Sequence, residues 1–163
     1  MFFILCFTAL IAGLSFLHEL AHYAALPPEL RRDVVICIGH PALPGIVLIR
    51  DRHLTIRLTI FPISGAIGLP TYVRPSASFL LAGPAVSLIA GAALLTAAYL
   101  LHGTVPVRSV LIASVCGTAT LPQLAEALTY TGGCVGVCQC VINLLPLPGS
   151  DGYHLYSSNK QKN

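Results

Sequence analysis

The sequence predicts a multi-pass α-helical membrane protein with three core transmembrane helices. A small antiparallel β-sheet lies between the first two, and an extra short apolar segment precedes the last. Three observations predict this. Of 163 residues, 55% are apolar and only 9% carry charge, with a mean hydropathy of +0.81, where ordinary globular chains carry about 25% charged residues. Three apolar runs approach or exceed the roughly 20 residues that cross a bilayer. Between the first two, Leu54-Thr55-Ile56-Arg57-Leu58-Thr59-Ile60 alternates apolar and polar residues at period two, the signature of a half-buried strand.

Span 1 covers about residues 2–26 and contains His18-Glu19-Leu20-Ala21-His22. Ionisable side chains are costly inside a span, so three of them mark a functional site. On a helix, residues four apart share one face, about 6 Å apart along the axis. Two imidazoles so placed can bind one Zn²⁺, with Glu19 beside them as general base. From this chain's own composition, H-E-x-x-H is expected by chance roughly 0.004 times. The competing reading, two core histidines satisfied by hydrogen bonds, does not account for Glu19 in lipid. The segment lacks a basic leader and is too long for the apolar core of a signal peptide, so it reads as a retained span.

Pro27-Pro28 ends the first helix, because proline removes a backbone donor and disfavours helix in the residue before it. The sheet and loop region covers about 30–75. Val34–Cys37, Gly45–Ile49 and Leu54–Ile60 read as strands, and Arg50-Asp51-Arg52 as a polar turn. Phe61–Pro70 is apolar but broken by Gly and Pro. It reads as a loop dipping toward a cavity, since irregular backbone is tolerated at depth only where protein or a water-filled cavity surrounds it. Span 2 covers about 76–101, with Gly83-Pro84 near its start and small residues that allow close helix packing. His102–Pro106 is a short loop. About 107–121 is a short surface or re-entrant segment. Span 3 covers about 124–147, and a polar tail occupies 153–163, too short for another domain.

Arginines and lysines set the orientation. Arg31, Arg32, Arg50, Arg52, Arg57 and Arg74 lie between spans 1 and 2, which makes that region cytoplasmic. Three crossings place eight basic residues inside and one, Arg108, outside; four crossings give six and three. The basic residues form no patch with interleaved aromatics, which argues against nucleic acid as a partner. The six cysteines, including Cys134, Cys138 and Cys140, lack the common C-x-x-C spacing and read as small packing residues.

A catalytic zinc takes three protein ligands and keeps one position open. Asp151 is the best third ligand, because Asp33 and Asp51 sit among arginines. Pro146 and Pro148 free the backbone to turn its carboxylate inward. An Asp-Gly turn at a helix exit is an equal reading of those residues. Three crossings put Asp151 on the same membrane face as the His pair; four put it on the other.

H-E-L-A-H in the first span, Ala82-Gly83-Pro84 in the second, and Asn143-x-x-Pro146-x-Pro148-x-x-Asp151-Gly152 after the last together resemble the site-2 protease family of intramembrane zinc metalloproteases. The likeness runs from about His18 to Gly152. It implies that His18, His22 and Asp151 bind Zn²⁺ and that Glu19 is the catalytic base. It also implies that Asn143 helps position the substrate backbone or steadies the transition state, and that the sheet is membrane-associated. In that family the sheet guides substrate in as an added strand, a role falling here on Leu54–Ile60. Three positions depart from the pattern. Ser87 stands where a G-P-x-x-N motif has Asn and would take its substrate-binding role, Ser150 stands where Leu usually precedes the Asp, and Tyr153 stands where a second Gly is common.

The expected activity is therefore hydrolysis of a peptide bond within or near a transmembrane helix of a membrane-protein substrate. The expected place is the cell membrane, with the active site toward the cytoplasmic side. The alternative is a catalytically inactive or non-proteolytic zinc-binding membrane protein, transporter-like or partner-binding.

Overall fold

The computed structural model describes residues 2–70, 75–103 and 107–160. Arg74, Lys162 and residues 104–106 of the 102–106 loop lie outside the described residues. The elements in chain order are α1 (Phe2–Ala25), a 3-10 turn (Pro28–Leu30), β1 (Val34–Ile38), β2 (Gly45–Arg50), β3 (Leu54–Thr59), β4 (Gly65–Gly68), α2 (Ala77–His102), α3 (Val107–Cys116), α4 (Leu121–Leu144) and α5 (Asp151–Lys160).

Among the described residues, α1, α2 and α4 are the helices long and apolar enough to cross a bilayer. Much of their apolar surface is open: Ile89, Leu100 and Leu121 are each more than two-thirds exposed. α3 has 10 residues, about 15 Å of helix, half of what a hydrocarbon core requires. It wedges Val110 against Phe3 of α1 and Ala127 of α4. α4 starts three residues before the expected boundary. Pro122 sits in its first turn, where a missing N–H costs nothing. Gln123 Oε1 accepts from Thr120 N at 2.9 Å to cap it. At the other end Leu145 turns extended ahead of Pro146, so the helix stops short of residue 147.

The sheet corrects the expectation of an antiparallel arrangement. It is mixed, in the order β2-β3-β1-β4. β1 and β3 are parallel, with Ile36 opposite Ile56; β1–β4 and β2–β3 are antiparallel. The reason is which strands have one side to bury. Ile36, Ile38 and Ile56 form a cluster against Ala12, Phe16, Leu20 and Tyr23, one stripe of α1. β2 is exposed along its whole length and takes the edge. The 61–70 stretch is also more regular than expected, since residues 65–68 form the second edge strand.

α2 and α4 form the tightest helix pair. A Cβ on Gly136 would lie 2.8 Å from Gly91 Cα, and one on Gly133 would lie 2.6 Å from Leu95 Cγ. Only glycine lets these backbones approach so closely.

Candidate metal centre and cavity

A second stripe of α1, Ser15, His18, Glu19 and His22, is buried. Its spacing of three, four and seven gives it one face, turned away from the sheet stripe and toward α2. Gly83 of α2 forms the back wall. A Cβ there would stand 2.6 Å from His18 Nε2 and closer still to His22 Nε2. Gly83 therefore leaves room for two imidazoles.

Asp151 arrives from the far end of the chain. After α4 the backbone turns through Gly149, with φ of +88°, a conformation side chains resist. Ser150 then caps α5: its Oγ accepts from Tyr153 N at 3.1 Å and reaches Leu147 O at 2.8 Å. A leucine at this position could do neither. Gly152 is equally constrained, since a Cβ would strike the carbonyl of Leu144. So Asp151 opens a helix, where the backbone dipole favours a negative charge. It is not a loose Asp-Gly turn.

His18 Nε2 and His22 Nε2 lie 3.1 Å apart. Asp151 Oδ2 is 3.4 Å from the first and 3.3 Å from the second. The three side chains can hold a metal ion, with one ligand atom each within 4.8 Å of the others. Their outer hydrogen bonds suit that use. His22 Nδ1 donates to Phe79 O at 2.7 Å; a carbonyl only accepts, so the proton sits on Nδ1 and the Nε2 lone pair faces inward. His18 Nδ1 meets Ser87 Oγ at 2.8 Å, and with the hydroxyl accepting, its Nε2 is bare as well. Two lone pairs and a carboxylate oxygen then face one another, and only a cation or a proton reconciles them. With a proton on an Nε2, that ring donates to Asp151; burial pushes the carboxyl up, but this hydrogen bonding and attraction to His18 and His22 outweigh it and hold it below the ordinary carboxylate range.

The site opens into a cavity of about 660 Å³, walled by α1, the 63–70 segment and α4. Glu19 lines it beside both histidines and packs on Gly65 of β4, where a Cβ would come within 2.5 Å of Glu19 Oε1. Asn143 lines it too, with Nδ2 3.4 Å from His18 Nε2.

Two expected placements differ. Ser87 is not at the cavity wall but behind His18, 3% exposed. Leu54–Ile60 falls on β3, an interior strand with both edges already paired, so it has no free edge for an added strand. The free edge that borders the cavity belongs to β4. Gln139, which carried no expectation from the sequence, lines the cavity one turn before Asn143. A polar amide in an apolar run was the available signal. No family model, curated protein or solved structure matches the chain significantly.

Proposed function

We propose that the chain is an integral-membrane zinc endopeptidase that cuts a peptide bond within or near a transmembrane helix of its substrate. The observation that carries this reading is the meeting of His18, His22 and Asp151, from opposite ends of the sequence, with Glu19 beside them in a shared cavity. The motif likeness to site-2 proteases points the same way.

His18, His22 and Asp151 would hold Zn²⁺; two neutral imidazoles and one carboxylate leave a small net charge, which lowers the cost of burial. Bound there, zinc would acidify water and polarise the scissile carbonyl. The chain's own groups do the rest. Glu19 takes the proton of the attacking water and delivers it to the leaving amide nitrogen. Asn143, at the cavity rim, donates toward the carbonyl oxygen as charge builds there. β4 offers main-chain groups along its free edge, so an unwound substrate segment adds as a further strand. The protein surface fits this setting. α1, α2 and α4 cross the bilayer, and the sheet packs along α1 from Tyr23 down to Ala12, about 16 Å below the α1 C-terminal end region. The arginines between α1 and α2 support a cytoplasmic position for that end.

Glu19→Gln is the test. Cleavage of a membrane-helix reporter falls by at least a hundredfold, while the metal content of detergent-purified protein stays at the wild-type level. A Glu19→Gln protein that cuts at the normal rate removes Glu19 as base. Bound zinc without cleavage by the wild type removes the protease reading.

A further inference from the structure

The cavity wall contributed by α4 carries a group with no assigned task. Val135, Cys138, Gln139, Ile142 and Asn143 line it. Gln139 and Asn143 are four residues apart and so share one face of α4. Gln139 is half-buried, and among the described residues its amide meets no hydrogen-bond partner. An amide on an apolar span is costly without a partner. Here it lines the cavity. The edge strand β4 lines the same cavity through Gly65, Ala66 and Ile67.

We infer that Gln139 binds the main chain of the substrate, one step along from the bond that is cut. This rests on the proteolytic reading of the cavity and extends it. The ligand class follows from what a membrane helix can offer. Its side chains are apolar, so the polar groups it presents once locally unwound are its own amide N–H and C=O. A glutamine amide supplies both a donor and an acceptor and matches that pair whatever the neighbouring side chains are. Gln139 lies one helical turn, about 6 Å, from Asn143, and Asn143 stands 3.4 Å from a proposed metal ligand. Two residues of extended chain cover about 6.6 Å. The contact therefore falls about two substrate residues from the reacting carbonyl. Asn143 and Gln139 grip one side of the strand while β4 pairs with the other.

The experiment compares wild type, Gln139→Leu and Gln139→Asn on a membrane-helix reporter carrying one cysteine near the cleaved bond. KM, kcat and metal content are read for each. In a Glu19→Gln background the disulfide yield between the reporter and Cys138, which also lines the cavity, reads binding without cleavage. The expected result is a rise in KM of roughly tenfold for Gln139→Leu, the loss of one or two net hydrogen bonds. kcat stays within about threefold, metal content is unchanged, crosslinking falls in parallel, and Gln139→Asn recovers part of the loss. Unchanged KM and crosslinking in Gln139→Leu overturn the inference while leaving the protease reading intact. Crosslinking that depends on Gln139 in a protein that never cuts sustains the inference and overturns the protease reading. Absence of any capture or cleavage overturns both.

Discussion

His22 and His18 are oriented by different kinds of partner, and the difference makes one of them adjustable. Phe79 O holds His22 through the backbone, which no side-chain substitution removes, whereas His18 depends on the Ser87 hydroxyl. Ser87→Ala leaves His18 Nδ1–H buried without an acceptor, so the ring loses its fixed tautomer. Zinc affinity should fall by roughly 10- to 100-fold, the usual cost of losing such an outer partner. Ser87→Thr, which keeps the hydroxyl, should recover most of it. A metal-competition titration on the two variants decides the point, and equal affinities would remove Ser87 from the site. The sequence showed that residues 18, 19 and 22 belong together, because helical spacing alone puts them on one side. It could not show what Ser87 touches. A position in a motif names a neighbourhood, and only the packing of α2 against α1 turns Ser87 toward a ring nitrogen and away from the cavity.

At the scale of elements, the helices were more legible than the sheet. A span announces itself by a run of apolar residues, and the small residues of α2 signalled close approach before any contact was known. Strand order depends on which strands share a buried side, and Val34–Cys37, Gly45–Ile49 and Leu54–Ile60 all carry enough apolar residues to compete. β1 and β3 win the interior places because Ile36 and Ile56 meet the same α1 stripe. β2 pairs only with β3 and stays outside. The helix seam gives the test at this scale. Gly136→Leu forces a side chain into Ser87 O and Gly91, an overpacking that costs about 1–3 kcal/mol. For a chain of this size that lowers the thermal midpoint in detergent by about 2–12 °C. Gly13, with nothing within 4 Å of its added Cβ, is the control, and Gly13→Ala should leave the midpoint unchanged or slightly raised. Equal shifts for the two variants would mean that α2 and α4 do not depend on their close approach.

Across the whole molecule, the candidate metal centre joins parts that the rest of the fold leaves apart. α5 packs against α2 and α4, with Leu155 beside the cluster of Leu26, Val34, Phe79 and Leu80, and among the described residues it makes no helix packing with α1. The link from α1 to α5 runs through His18, His22 and Asp151. A cation bound there ties residue 18 to residue 151, and its binding energy becomes stability by mass action. With free metal at a thousand times its dissociation constant, the gain is about 4 kcal/mol, or roughly 8–16 °C in the midpoint. Chelation of the purified protein should lower the midpoint by that order and speed amide exchange in residues 151–157, and added Zn²⁺ should reverse both changes. Asp151→Ala removes one end of the link, so its midpoint should start low and ignore the chelator. If wild type and Asp151→Ala lose the same number of degrees on chelation, the ion is held somewhere else. α5 would then be fastened by its remaining contacts, and the convergence of the three side chains would have no bearing on how the two ends of the chain stay together.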